Sequence, residues 1–139
     1  AKSVDENTKQ SAHILLAEDD RVNQKLAMAL LTKAGHTVDI AENGRQAVKK
    51  VKTCDYDLVF MDVQMPIMDG LEAAMAIRKA GFRELPIVAM TANAFQSDKE
   101  QCLEAGMDEF LSKPIRRKEV LEQIQKFVLD RPRTNPLIA

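Results

Sequence analysis

The sequence predicts an α/β fold built on a parallel sheet, because short apolar runs alternate along the chain with longer stretches of helical periodicity. Three of the runs are continuously apolar, which is typical of strands buried on both faces of a parallel sheet. Three of the helical stretches end in Ala followed by Gly, a common way for a helix to terminate. The 139 residues have the usual length of one domain and can bury roughly two thirds of their unfolded surface.

The predicted strands differ in how apolar they are, and this difference orders them within the sheet. Residues 14–17, 58–61 and 87–90 are continuously apolar, as central strands of a parallel sheet should be. Residues 37–41 and 109–112 mix apolar with polar side chains, which is typical of strands with one exposed side. We therefore expect three central strands and two edge strands.

Helical periodicity fills the intervals between the strands. It covers residues 21–34, 44–53, 71–80, 95–105 and 116–128. Gly35, Gly81 and Gly106 follow three of these stretches, where a left-handed conformation would end the helix without a clash from Cβ. Asn43 and Gly44 could form a hairpin turn, but apolar residues follow them at helical spacing, so a helix start is predicted.

Five strand and helix units joined by right-handed crossovers can be arranged in few ways. With the two mixed strands at the edges, the predicted strand order is 2-1-3-4-5, with five helices divided between the two faces. This is a flavodoxin-like, doubly wound, five-stranded parallel sheet. Its carboxyl-terminal edge is where such sheets place their chemistry, because side chains leaving neighbouring strands converge there.

Composition and charge exclude several classes of function. The 20 basic and 21 acidic residues nearly cancel, so the chain lacks the basic surface that nucleic acid binding requires. The longest apolar runs are about six residues, far short of the roughly eighteen that a membrane span needs. The polar first residues contain no apolar signal-peptide core, and we expect a cytoplasmic protein without membrane contact. Cys54 and Cys102 are predicted to be free, partly buried thiols.

Three segments are predicted along the chain. Residues 1–12 form a polar tail or linker, 13–129 the folded domain, and 130–139 a C-terminal tail whose two prolines oppose regular structure. The chain does not begin with Met, which fits both a processed terminus and a domain excised from a longer protein. The sequence leaves both possibilities open.

Side chains suited to phosphoryl chemistry follow four of the predicted strands. They are Glu18, Asp19 and Asp20 after the first strand, Asp62 after the third, Thr91 after the fourth and Lys113 after the fifth. Carboxylates that lie close together repel one another unless a cation neutralises them, and an all-oxygen site of this kind suits Mg²⁺. Asp62 is the best candidate nucleophile for a phosphoryl group, with Thr91 and Lys113 contacting its oxygens.

At these positions the sequence resembles the receiver domains of two-component signalling, and hybrid histidine kinases most of all. The resemblance extends from about His13 to Val128 and rests on four separated motifs, which are ILLAEDD, MDVQMPIMDG, MTANA and FLSKP. It implies a phosphoacceptor at Asp62, a switch hydroxyl at Thr91 and a basic residue at Lys113.

The resemblance also implies a metal site and a switch. The Mg²⁺ ligands would be Glu18, Asp19, Asp62 and the backbone carbonyl of Gln64, and Phe110 would occupy an aromatic switch position. The peptide bond from Lys113 to Pro114 is expected to be cis. Asp19 and Asp20 are the alternative acid pair, but Asp20 is well placed to cap the first helix, which favours Glu18 and Asp19. Phe110 fits core packing as well as switching.

The predicted function is therefore a phosphoacceptor that receives a phosphoryl group from phosphohistidine and then changes its binding surface. A phosphatase resembling the haloacid dehalogenases is the alternative, but those enzymes use a second Asp where this chain has Gln64. A nucleotide-binding module finds no support, because no two glycines have the spacing of a phosphate-binding loop. The expected partner is a histidine kinase or a histidine phosphotransfer domain, and the expected oligomeric state is a monomer or weak dimer. Extra apolar residues on the first helix, including Val22 and Leu26, are predicted to dock that partner.

Overall fold

A computed structural model of the chain describes residues 11–92 and 96–129. The strands are β1 (His13–Ala17), β2 (Thr37–Ala41), β3 (Leu58–Asp62), β4 (Ile87–Thr91) and β5 (Glu109–Ser112). The helices are α1 (Arg21–Lys33), α2 (Gly44–Thr53), α3 (Gly70–Lys79), α4 (Gln96–Glu104) and α5 (Arg117–Ile124), followed by a π-helical turn (Gln125–Leu129). The predicted tails lie outside the described residues except for Ser11 and Ala12, and Phe95, the predicted first residue of the fourth helix, also lies outside them.

The five strands form one parallel sheet in the order β2-β1-β3-β4-β5, which confirms the predicted fold class. The three apolar strands are central and the two mixed strands are at the edges. β3 and β4 each run one residue further than predicted, so Asp62 and Thr91 are the last residues of their strands. Both side chains are therefore held by the sheet and not by a loop.

Two apolar layers, one on each face of the sheet, form the core. Alternate residues of β1 show the division, because Leu15 and Ala17 pack with α2, α3 and α4, whereas Ile14 and Leu16 pack with α1 and α5. Side chains of a strand point to opposite faces in turn. Both faces of the central strands are covered by helices, which explains why their apolar runs are continuous.

The helix ends agree with the signals in the sequence. Gly35, Gly81 and Gly106 have φ angles of 98°, 107° and 103°, in the left-handed region that glycine enters without strain. Asn43 caps α2, with its side chain accepting a hydrogen bond from the backbone N–H of Gln46, so the predicted helix start is confirmed.

One element differs in kind from the prediction. The stretch expected to be a single helix over 116–128 is α-helical only to Ile124 and then becomes a π-helical turn. Its buried residues, Val120, Ile124 and Val128, are spaced by four. This spacing exceeds the 3.6 residues of an α-helical turn, so the wider π turn keeps Val128 on the face that packs against the sheet.

Three smaller predictions have mixed outcomes. Both cysteines are free, but Cys54 is exposed just after α2 and Cys102 is buried in α4, so neither is partly buried as expected. Ala12, assigned to the tail, is buried and accepts a hydrogen bond from the backbone N–H of Thr37. No helix within the described ranges is long and apolar enough to cross a membrane.

Candidate functional site

The carboxyl ends of four strands bring the predicted site residues to one edge of the sheet. The ammonium of Lys113, just after β5, lies 2.7 Å from Oδ2 of Asp62 and 2.8 Å from Oε1 of Glu18. Carboxylate oxygens of Glu18, Asp19 and Asp62 lie within 4.8 Å of one another. Three acids and one cation from three strands that are distant in sequence are therefore in direct reach of one another.

The three acids differ in burial and in how they are held. Glu18 and Asp62 are only 2% and 5% exposed, whereas Asp19 is exposed. The second carboxylate oxygen of Glu18 accepts a hydrogen bond from the backbone N–H of Asp20, and its carbonyl accepts one from the side chain of Gln24. Glu18 is thus fixed in place, while Asp19 has no hydrogen bond to its side chain within the described part of the chain.

Asp20 has a different task from the two acids before it. Its side chain accepts a hydrogen bond of 2.9 Å from the backbone N–H of Asn23 and so caps α1, as predicted. Asp20 is absent from the group of carboxylates that approach one another, among the residues that the structure describes. The geometry therefore favours Glu18 and Asp19 over Asp19 and Asp20 as the acid pair.

Burial makes the charge of Asp62 costly. The pKa of Asp62 is raised to about 6, chiefly by desolvation and also by the neighbouring Glu18 carboxylate, although the hydrogen bond from Lys113 lowers it. Desolvation alone would lower the pKa of Lys113, but its hydrogen bonds to Asp62 and Glu18 outweigh this and raise it. Lys113 stays charged and is the cation that holds the two buried carboxylates together.

Backbone groups of the loop after β3 hold Asp62 in position. The backbone N–H of Gln64 donates to Oδ1 of Asp62 over 3.2 Å, and the N–H of Gly70 donates to the carbonyl of Val63. A Cβ at Gly70 would collide with the carbonyl oxygen of Asp62, so only glycine lets α3 start this close to β3. The sequence shows a glycine eight residues after Asp62, but no local pattern predicts this role for it.

The same loop contains a strained residue that the sequence analysis also missed. Ile67 has a φ angle of 70°, a left-handed conformation that is unfavourable for a β-branched side chain, and it is 71% exposed. Nothing in the sequence separates this Ile from an ordinary loop residue.

Thr91 and Phe110 lie beside the acid cluster on the last two strands. Thr91 is buried at the end of β4, and its carbonyl accepts a hydrogen bond from the backbone N–H of Lys113. Phe110 is half-buried against the core layer formed with α2, α3 and α4, with the ammonium of Lys99 4.5 Å from its ring centre. The peptide bond from Lys113 to Pro114 is cis, as expected.

The donor set fits a hard divalent cation. Three carboxylates offer only oxygen ligands, which is the preference of Mg²⁺, and the open position of Asp19 leaves the cluster accessible from solvent. Soft or nitrogen ligands are absent from this group of described residues, so zinc or copper would be a poor match. The site can hold a metal and present a carboxylate to a phosphoryl donor at the same time.

Sequence comparisons identify relatives of the whole folded region. A family model described as the response regulator receiver domain matches residues 14–125. Hybrid signal transduction histidine kinase I of Dictyostelium discoideum is 46% identical over 119 residues, covering 80% of this chain and 7% of the kinase. Histidine kinase 5 of Arabidopsis thaliana is 37% identical over 142 residues, covering 83% of this chain and 15% of the kinase. The chain thus spans a small part of the length of these curated relatives.

Solved structures agree with this family. The receiver domain of a sensor histidine kinase from Pseudomonas aeruginosa, with a magnesium ion coordinated in its active site cleft, is 41% identical with a TM-score of 0.79, covering 84% of this chain and 97% of that one. A Saccharomyces cerevisiae complex of a histidine phosphotransfer protein with the receiver domain of its downstream response regulator matches at 30% identity and a TM-score of 0.81, covering 86% and 90%. The chain therefore belongs to the response regulator receiver domain family of two-component signalling, with hybrid histidine kinases among its relatives.

Proposed function

We propose that this receiver domain accepts a phosphoryl group from a phosphohistidine onto the carboxylate of Asp62. The supporting observation is the position of that carboxylate, buried at the end of β3 between a fixed Glu18 and the ammonium of Lys113. An oxygen of Asp62 forms a bond to phosphorus while the bond from phosphorus to the donor imidazole breaks, and the imidazole nitrogen takes the electron pair and a proton.

The surrounding residues can neutralise the negative charge that the phosphoryl group brings into the site. Glu18, Asp19, Asp62 and the backbone carbonyl of Gln64 would hold Mg²⁺, which supplies positive charge for the phosphoryl oxygens when bound. Lys113 already lies against Asp62, so it can exchange a carboxylate oxygen for a phosphoryl oxygen with little movement. A phosphatase of the haloacid dehalogenase kind is disfavoured, because Gln64 stands where its acid would be and the relatives are receivers.

Mass spectrometry after incubation with acetyl phosphate and Mg²⁺ tests the proposal. We expect addition of one phosphoryl group per chain, lost in base or hydroxylamine as expected for an acyl phosphate. Labelling without Mg²⁺ at the same rate, or a modification that resists hydroxylamine, would contradict the proposal.

The metal site can be tested by charge removal at three consecutive acids. Glu18→Gln and Asp19→Asn should each weaken Mg²⁺ affinity about tenfold or more, because each removes a carboxylate from the cluster. Asp20→Asn is the matched control and should change it little, because Asn still caps a helix. Isothermal titration calorimetry measures all three, and loss of binding in Asp20→Asn with normal binding in Glu18→Gln would move the acid pair by one residue.

We also propose that Thr91 and Phe110 transmit phosphorylation to the surface. Thr91 would bond to a phosphoryl oxygen by moving toward Asp62, and Phe110 would turn into the space that it leaves. The half-buried ring of Phe110 and its place beside Lys99 on α4 mean that its movement would alter the surface formed by α4, β5 and α5.

Thr91→Ala should separate phosphorylation from this response. The variant should still bind beryllofluoride at Asp62, but the NMR shift changes around Phe110 should shrink, because the hydroxyl that draws β4 toward the site is gone. Shift changes equal to those of the wild type would exclude the coupling.

A histidine phosphotransfer domain is the proposed partner, and we propose that it docks on exposed apolar side chains of α1 and of the loop after β3. Val22 and Leu26 on α1 are 64% and 63% exposed, and Ile67 is 71% exposed in the loop after Asp62. A strained conformation such as that of Ile67 costs on the order of 1–3 kcal/mol, which a partner contact would explain. A pocket of about 210 Å³, lined by Leu26 of this surface and also by Glu18 and Lys113, connects α1 with the acid cluster.

We propose that the domain acts in the cytoplasm as a monomer or weak dimer, without nucleic acid.

Val22→Asp should slow transfer from a phosphohistidine domain at least about tenfold, because a charge replaces an apolar contact at the docking surface. Labelling by acetyl phosphate should be unchanged, since Val22 is mostly exposed and is not among the described residues that bond to Asp62 or form the acid cluster. Met75→Asp on α3 is the matched control, an exposed apolar residue outside this surface. Equal slowing with both donors would mean damage to the site, and no slowing with either would place docking elsewhere.

A further inference from the structure

A second candidate site lies at the open edge of the sheet, away from Asp62. β2 pairs only with β1 among the described strands, so its outer side has no strand partner. A groove of about 790 Å³ follows this edge between α1 and α2. We call it the edge groove, and its charged and apolar lining is formed by Arg21, Lys25, Ile40, Glu42, Lys49 and Lys50. We propose that the edge groove binds an extended acidic polypeptide segment.

Charge is the first argument. Four cations face a single carboxylate, that of Glu42, in a chain whose basic and acidic residues otherwise nearly cancel. Within the described part of the chain, none of the four cations lies within 4.0 Å of a carboxylate oxygen. Asp39 of β2 compensates them only in part, because its carboxylate accepts from Tyr56 and pairs with His13, and the charge of Lys50 is the weakest of the influences on its pKa. A group of cations with so little compensating negative charge attracts an acidic partner.

Shape is the second argument and favours a polypeptide over a small anion. Small-molecule sites enclose most of their ligand, whereas the edge groove is open to solvent. The unpaired side of an edge strand offers backbone N–H and C=O groups, which an extended chain can satisfy by adding a strand. The α2 wall from Gln46 to Thr53 is roughly 10 Å long, which matches about three residues of an extended chain.

A strand added beside β2 would place its side chains near the cations of both helices. Successive side chains of a strand point to opposite faces of the sheet. Consecutive acidic residues added at β2 would therefore point alternately toward Arg21 and Lys25 on α1 and toward Lys49 and Lys50 on α2. Single-stranded nucleic acid fits less well, because no aromatic residue lines the groove to stack on a base.

The test uses a fluorescently labelled hexaglutamate peptide and the whole chain. We expect binding by fluorescence anisotropy, with NMR shift changes in the amides of 37–41. The double variant Lys49→Glu and Lys50→Glu should weaken binding at least about tenfold. Lys33→Glu with Lys52→Glu is the matched control, because it reverses the same number of charges at exposed lysines outside the groove lining. Equal weakening in both double variants would overturn the proposed location.

Two further ligands test the mode of binding. Hexaglutamate with an N-methyl group on every residue keeps its charge but has no backbone N–H to donate to β2 from an added strand. It should bind at least about tenfold more weakly, and equal binding would overturn strand addition. An oligothymidylate of equal charge should bind more weakly than hexaglutamate, and tighter binding in the same groove would overturn the polypeptide as its ligand. Labelling by acetyl phosphate should be the same in all variants, since the edge groove is separate from Asp62.

Discussion

Asp62→Asn should abolish phosphorylation and, at the same time, stabilise the metal-free protein. The loss of phosphorylation is expected because the amide is not a nucleophile toward phosphorus. The gain in stability is expected because the wild-type carboxylate is buried and its pKa is raised to about 6, so its ionised form is disfavoured in the folded state. Removing the charge should raise the free energy of unfolding at pH 7.5 by on the order of 1–3 kcal/mol.

The stability difference between Asp62→Asn and the wild type should depend on pH. An acid whose pKa is higher in the folded state than its ordinary value of 3.8 favours folding while it is protonated. That contribution is complete below 3.8 and is lost as the pH rises through about 6. The stability difference between Asp62→Asn and the wild type should therefore be larger at pH 7.5 than at pH 5.

Urea unfolding in the presence of a chelator measures both differences. Asp55→Asn, a change of the same kind at an exposed position before β3 and away from the site, is the control for the loss of a carboxylate as such. A variant less stable than the wild type at pH 7.5 would mean that the ion pair with Lys113 outweighs the burial of Asp62. Residual phosphorylation of the variant would place the acceptor on another residue.

The central residues of the site could be predicted from the sequence because of where they stand along the chain. Glu18, Asp62, Thr91 and Lys113 each lie at or just after the carboxyl end of a strand, and strand order depends on apolar patterns that are visible in the sequence. The edge on which Glu18, Asp62, Thr91 and Lys113 meet could therefore be predicted before any distance was known. Asp20 could also be separated from the acids before it, because a helix start has a recognisable local signal.

Contacts between segments that are distant in sequence could not be predicted from local sequence patterns. The collision that makes glycine necessary at position 70 involves the backbone of Asp62, and no local pattern reports it. The left-handed Ile67 is contrary to the preference of its residue type, so propensity predicts the opposite conformation. The π turn after Ile124 depends on which face of the helix meets the sheet, which is a property of packing and not of composition.

Removal of the Lys113 ammonium tests whether this cation serves phosphoryl transfer, metal binding or both. Its ammonium lies against two of the acids proposed to hold Mg²⁺, so lysine and metal would compete for the same carboxylates. Removing the ammonium leaves Glu18 and Asp62 without a neutralising charge. The pKa of Asp62 should rise further, because the hydrogen bond from Lys113 is the main influence that lowers it.

Lys113→Ala should slow phosphorylation by acetyl phosphate about 100-fold, because a preorganised charge that contacts the transferred group is lost. Mg²⁺ affinity at pH 8 should stay equal or increase, since the competing cation is gone and the three carboxylates remain. Stopped-flow or quenched-flow mass measurements give the rate at saturating Mg²⁺, and calorimetry gives the affinity. Lys79→Ala, at an exposed lysine on α3, is the control and should change neither quantity. A parallel loss of Mg²⁺ affinity and rate would show that Lys113 acts by holding the carboxylates in place. If Lys113 acted only on the phosphoryl oxygens, its removal would not lower the affinity for Mg²⁺.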